Sequence, residues 1–197
     1  LIDLEQVKKL RQISGAGILD CQKTLLETKG DLEKAVSLLR EKGIIQAAKR
    51  AERKAQEGII YSYIHAGDKI GVLLELNCET DFVARTDEFR NLAKELALQI
   101  AACAPYWIKT EDISEEIIEK EKEIYRTQVQ GKPDKIVEQI IKGKLEKFYI
   151  SVCLFEQVYI RDSEGKMKIK DLITQVMAKL GENIILRRFA RFKVGEE

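Results

Sequence analysis

One histidine, His65, stands in 197 residues, so a zinc site, a serine or cysteine triad and a histidine relay all lack parts. The four cysteines, Cys21, Cys78, Cys103 and Cys153, are widely separated and form no CxxC pair. That spacing argues against a zinc knuckle and a dense disulfide scaffold, and the cysteines read as small buried hydrophobes. Nowhere do about 18 apolar residues run together, and Leu1-Ile2-Asp3-Leu4-Glu5 is not a basic stretch leading into an apolar one. The chain is expected in the cytoplasm, with an organellar matrix or stroma left open. Charge of one sign is also missing: the formal net charge is +1. No basic field recommends nucleic acid and no acidic one suggests a disordered tail, so the expected partner is a protein. No metal, cofactor or membrane is expected, and most routes to catalysis are closed.

With 45% hydrophobic and 34% charged residues, the chain can close a real core in one or two domains. Residues 1–43 read as three short helices. The first carries Leu4, Val7 and Leu10 at helical spacing and ends at Ser14-Gly15-Ala16-Gly17. The second runs from about Asp20 through Leu25 and Leu26 to Gly30. In the third, Asp31 is the N-cap, Leu32, Ala35 and Leu39 point inward, and Gly43 closes the helix. Residues 44–57 read as a linker helix with a basic face of Lys49, Arg50, Arg53 and Lys54, ended by Gly58.

The pattern then changes to period two. Ile60, Ser62 and Ile64, then Ile70, Val72, Leu74, Leu76 and Cys78, predict a hairpin around Ala66-Gly67-Asp68. Three helices follow. The first starts at Thr86 with Phe89, Leu92, Ala93, Leu96 and Ile100 on one face, up to Pro105. The next starts at Ser114 with Ile117, Ile118, Ile124 and Val129. Gly131 and Pro133 precede the last, with Val137, Ile140, Ile141, Leu145 and Phe148 inward. Then come a strand at 152–160, a turn at 162–165, a helix with Leu172, Ile173, Val176 and Leu180, and a strand at 184–194. The expected fold is α+β: a small three-helix N-terminal domain, then a core domain (58–197) with an antiparallel sheet covered by helices. A doubly wound parallel sheet is the alternative.

Between the second strand and the long helix lies Asn77-Cys78-Glu79-Thr80-Asp81-Phe82-Val83-Ala84-Arg85. The plain interpretation is that Thr80 or Asp81 caps a helical turn while Phe82 packs on the core. Spacing leaves open whether the segment does more.

The segment from Glu75 to Arg85 resembles the signature of the elongation factor Ts family. So does Leu10-Arg11-Gln12-Ile13-Ser14-Gly15-Ala16-Gly17-Ile18-Leu19-Asp20-Cys21-Gln22-Lys23, and the likeness extends to Gly181-Glu182-Asn183-Ile184 and Arg187-Arg188-Phe189. By that resemblance, residues 1–43 form a ubiquitin-associated-like domain and the rest a single core unit, as in the family's short forms, which suggests a homodimer. The chain would be a guanine-nucleotide exchange factor rather than an enzyme, acting on elongation factor Tu in its GDP-bound and nucleotide-free states. Thr80, Asp81, Phe82 and Val83 would enter the partner near its magnesium site and dislodge the ion. Ile13, Ile18, Leu19 and Lys23 would dock the N-terminal domain; otherwise the three apolar residues simply close the small helical core. Gln22 and Val158 depart from residues common in the family, lysine and proline. Ala190 stands where some short forms carry cysteine, so the dimer is expected to be non-covalent.

Physically, a factor that prefers the nucleotide-free state must weaken nucleotide binding by the same factor, because linkage is reciprocal. Two rivals remain at this point. One is a peptide- or ubiquitin-binding module built on the small helical domain. The other is a ribosome- or RNA-associated factor using Lys49, Arg50, Arg53 and Lys54 with Arg187, Arg188 and Arg191.

Overall fold

A computed structural model of the chain describes residues 3–14, 16–50, 52–129 and 133–196. Gly15 and Gly131, each given a role by the sequence, lie outside the described residues. The fold is α+β, as expected. It divides into two compact units, each assembled from several stretches of chain: Leu1–Ile59 with Leu76–Leu92 and Ile173–Ile185, and Ile60–Glu75 with Ala93–Leu172 and Leu186–Glu197.

In the first unit, helices α1 (Leu4–Ser14), α2 (Ile18–Glu27) and α3 (Leu32–Arg50) pack on one another. Val7, Leu10, Cys21, Leu25, Ala35 and Leu39 are buried between them, with Ala16, Leu32 and Val36 alongside. Their i, i+3 and i+4 spacing lays one apolar stripe on each helix, and three short stripes make one small core. Leu4 shares the spacing but is exposed at the start of α1. Helix α2 stops where Lys29 and Gly30 turn left-handed, the Gly30 N–H returning to the Leu25 carbonyl at 2.8 Å. The Asp31 carboxylate accepts from the Lys34 N–H at 3.1 Å, the N-cap the sequence predicts.

The expected stop at Gly43 is absent. Helix α3 runs through it to Arg50, so the first part of 44–57 continues that helix and residues 52–56 are not helical. A Cβ at Gly43 would lie 3.2 Å from the Ala178 Cβ. This glycine permits a close approach between helices, and does not end one.

Among the described residues three strands form one antiparallel sheet, β1 (Glu57–Ile64), β2 (Ile70–Cys78) and β3 (Ile185–Lys193), with β2 in the middle. Val72, Leu74 and Leu76 of β2 are buried, as the period-two pattern requires. Gly58, expected to end a helix, is the second residue of β1. Its φ is +148°, and a Cβ there would sit 2.2 Å from the Leu76 carbonyl oxygen. Only glycine fits where the two strands approach so closely.

After the single turn α4 (Asp81–Ala84) comes α5 (Asp87–Cys103), capped by the Thr86 hydroxyl, which accepts from the Phe89 N–H at 3.3 Å. Its inward residues Phe89, Leu92, Ala93, Leu96 and Ile100 are all buried. Helices α6 (Glu115–Gln128) and α7 (Asp134–Val152) pair in the second unit, closed over Val129, Ile141 and Leu145; Ile124, expected inward, is exposed. In α8 (Ile169–Leu180) the buried residues are Ile169, Ile173 and Met177, while Leu172, Val176 and Leu180 are half-buried.

The strand expected at 152–160 does not form. Helix α7 extends through Val152, and a 3-10 turn occupies Leu154–Glu156. The backbone groups that a neighbouring strand would have paired find other partners. Leu154 and Phe155 N–H donate to the Trp107 and Ile108 carbonyls at 2.9 Å, and Tyr159 N–H donates to the Met167 carbonyl at 2.8 Å. The fully buried Gln99 side chain accepts from Ile160 N–H at 3.0 Å and donates to the Val158 carbonyl at 3.1 Å. Tyr159 and Arg161 both donate to the buried Glu95 carboxylate at 2.7 Å. Side chains of α5 thus satisfy this segment in place of a ladder.

Candidate functional site

At the end of β2 the chain leaves the sheet through Glu79 and Thr80 and makes α4. Thr80 is extended and caps the turn, its hydroxyl oxygen 3.4 Å from the Val83 N–H. Ala84 turns inward and is buried, and the Thr86 hydroxyl donates to the Val83 carbonyl at 2.8 Å. Phe82 does the opposite. It is 78% exposed, the most exposed aromatic ring among the described residues. Of the plain interpretation, the cap is present and the packed ring is not. Beside it, the half-buried Asp81 accepts from the exposed Arg85 one turn on, at 2.7 Å. Such a surface pair is worth about 0.3–0.5 kcal/mol and opens readily.

The root of this tip is held from the turn between α8 and β3. The Glu182 carboxylate accepts from the Glu79 N–H at 3.1 Å, the Thr80 N–H at 3.0 Å and the Thr80 hydroxyl at 2.6 Å. In return the Glu79 carboxylate accepts from the Asn183 N–H at 2.7 Å, and Arg53 approaches it at 3.6 Å. Asn183 is 2% exposed and its amide donates to the Arg53 carbonyl at 2.7 Å. Beneath the tip, the Cys78 thiol points to the Thr80 carbonyl at 3.1 Å. Burial, and then the negative charges of Glu182 and Glu57, push this thiol up to about 11, so at neutral pH it is protonated and unreactive.

The N-terminal candidates form a second feature of the same unit. Ile13 lies in the last turn of α1, Ile18 and Leu19 open α2, and Lys23 follows one turn later. Ile13, Ile18 and Leu19 are 55%, 49% and 69% exposed and lie outside the small helical core; Lys23 is exposed too. Three aliphatic side chains in water around one interhelical turn give an apolar patch with a cation beside it.

Four of the basic residues have acidic neighbours within their own unit. Arg53 leans on Glu79, Arg187 and Arg188 reach Glu75 at 3.7 and 2.7 Å, and Arg191 pairs with Glu196 at 2.5 Å. Among the described residues no group of three or more histidine, cysteine or acidic side chains is placed to hold a metal ion, and no helix is long and apolar enough to cross a membrane.

Glu182 and Asn183 had no role assigned from sequence. The signal was present in Gly181-Glu182-Asn183-Ile184, where an acid and an amide interrupt the apolar pattern between helix and strand.

Comparison with known proteins agrees over the whole chain. The family model described as Elongation factor TS matches residues 5–169. An elongation factor Ts of Thermotoga neapolitana is 56% identical over 196 residues, covering 100% of this chain and 98% of the relative. One from Thermodesulfovibrio yellowstonii is 57% identical over 196 residues, covering 99% and 97%. One from Caldanaerobacter subterraneus subsp. tengcongensis is 54% identical over 198 residues, covering 100% and 98%.

Proposed function

The chain belongs to the elongation factor Ts family of translation elongation factors, and on that premise we propose that it is a guanine-nucleotide exchange factor that binds elongation factor Tu·GDP and promotes GDP release. The observation that carries this is the exposed Phe82 ring on a turn whose root is fixed by hydrogen bonds. A ring held in water has its full transfer free energy still available. Burying it in a slot on the partner yields about 1.5–3 kcal/mol. If that slot exists only when the nucleotide site has opened, the gain belongs to the open state alone and shifts the equilibrium toward it.

Asp81 supplies the second effect. Freed from Arg85, its carboxylate approaches a site where the nucleotide is held through magnesium and phosphate, disturbing the ion's ligand shell or repelling the phosphates. Thr80 caps the turn that carries both residues, and Val83 adds apolar surface. Nanomolar nucleotide binding corresponds to about 12 kcal/mol, so the tip cannot act alone. Docking is supplied by residues 1–43 through Ile13, Ile18, Leu19 and Lys23, joined through 44–57 to the core at 58–197. No bond is made or broken in the chain itself, so the activity is that of a binding protein and not of an enzyme.

The functional assembly is a non-covalent homodimer. Ile60 and Ile64 of β1, Leu73 of β2 and Phe192 of β3 are all exposed, and this much apolar surface on one sheet supports a protein contact. Ala190 in β3 offers no thiol to cross-link it.

The test is release of a fluorescent GDP from elongation factor Tu. Phe82→Ala and Asp81→Ala should each slow release by about tenfold, corresponding to about 1.4 kcal/mol of lost discrimination, while docking weakens less. Parental rates for both would remove the tip from the mechanism.

A further inference from the structure

We propose that Glu182 is a positioning residue for the tip, setting the direction in which Phe82 and Asp81 are presented; this rests on the exchange function proposed above. Helix α4 has four residues, and beyond the buried Ala84 its local side-chain contacts are a cap of 3.4 Å, the Thr86 hydroxyl on the Val83 carbonyl and the Asp81–Arg85 pair, little to fix a single turn in water. The firmest hold on its root comes from about a hundred residues away in sequence. One Glu182 oxygen accepts both the Glu79 and the Thr80 N–H, and the other accepts the Thr80 hydroxyl at 2.6 Å. These are charge-assisted contacts, the stronger class of hydrogen bond. The Thr80 hydroxyl lies between two demands, donating to Glu182 while its oxygen caps Val83.

The turn that carries Glu182 is itself fixed on both sides. Gly181, left-handed at φ +78°, donates to the Met177 carbonyl at 2.9 Å to close α8. The next residue, the buried Asn183, donates its side-chain amide to the Arg53 carbonyl and its backbone N–H to the Glu79 carboxylate. Glu182 is thus a rigid post to which the tip is tied. The Phe82 ring, mostly in solvent, adds little to that hold.

A preorganised tip enters its slot without first being ordered, whereas a loose one must be ordered during the step that opens the partner. Loss of Glu182 therefore lowers the maximal rate of GDP release at saturating factor more than it raises the half-saturating concentration, which reports the docking surfaces. Glutamine is the informative replacement. Its carbonyl oxygen can accept both backbone N–H groups and its NH2 can donate to the Thr80 hydroxyl, so it keeps the geometry without the charge.

The experiment compares Glu182→Ala, Glu182→Gln and Phe82→Ala in fluorescent GDP release from elongation factor Tu, with hydrogen exchange of segment 79–84 measured on the full chain. Glu182→Ala should cut the maximal release rate on the order of tenfold, leave half-saturation within about twofold, and speed exchange of the Glu79 and Thr80 amides. Glu182→Gln should restore release and protection to within about threefold. If Phe82→Ala is slow but Glu182→Ala is not, the positioning role is wrong and the exchange function stands. If neither slows release, both fail. If Glu182→Gln is as slow as Glu182→Ala while its amides stay protected, charge and not positioning is at work, and the proposal is overturned. Should Glu182→Ala fail to fold, Thr80→Val removes the same hydroxyl contact from the other side and must slow release for the proposal to survive.

Discussion

At the residue scale, side chains that look alike in composition divide by what they touch. Leu25 is fully buried in the small helical core, whereas Leu19 on the same helix is mostly in water. Leu25→Ala should cost about 2–5 kcal/mol through lost transfer and cavity terms. Leu19→Asp should leave stability within about 0.5 kcal/mol yet weaken binding to elongation factor Tu on the order of tenfold, since it removes apolar contact and buries a charge. Thermal unfolding and a binding titration check the two halves separately. A Leu19→Asp protein that unfolds early but docks normally would make this residue part of the core. Arg85 holds Asp81 so lightly that its loss should scarcely alter stability. The exposure of Leu19, Ile13 and Ile18 was open in the sequence because a helix three turns long has too few inward positions for periodicity to assign its ends.

Elements were legible to the extent that their own residues satisfy them. Helices α5 and α6 and the β1–β2 hairpin follow from period and caps, and Thr86 and Asp31 cap where expected. The failures share one physical cause. Gly43 and Gly58 read locally as helix stops because glycine ends helices, but both are demanded by distant neighbours, Ala178 and the Leu76 carbonyl. Gly58→Ala should therefore lower stability by about 1–3 kcal/mol, measured by urea unfolding; an unchanged midpoint would mean the strands separate there at little cost. The false strand at 152–160 likewise depends on Gln99 and on residues 106–108, invisible from local alternation. Within that region Glu156 is held below its usual value. Burial works against this, but Lys168 at 2.6 Å and Lys170 at 2.9 Å outweigh it. A depressed folded value means the pair's stabilisation is present above the ordinary glutamate range, near pH 4.3, and is lost as pH falls through the folded value. Glu156→Gln should then lose less stability than the parent between pH 7 and pH 3, by the same unfolding measurement. The tip was legible as a motif, while its support by Glu182 was not, because the partners are 102 residues apart.

For the whole molecule, the chain spans nearly the full length of relatives that share its family. The homodimer proposed above rests on the exposed apolar residues of the sheet, Ile60, Ile64, Leu73 and Phe192. Light scattering should return about twice 22.6 kDa with or without reductant, and Phe192→Glu should return the monomer with the helical signal intact; a monomeric parent would remove the dimer. The proposed exchange is a linkage between two ligands of elongation factor Tu, the nucleotide and this chain. The decisive measurement is therefore the affinity of the chain for elongation factor Tu with GDP bound and with the site empty. Tighter binding to the empty form, by the same factor by which the chain weakens GDP binding, is the predicted result. Equal affinity for the two forms would contradict the account, because a protein that does not distinguish them cannot drive the nucleotide out.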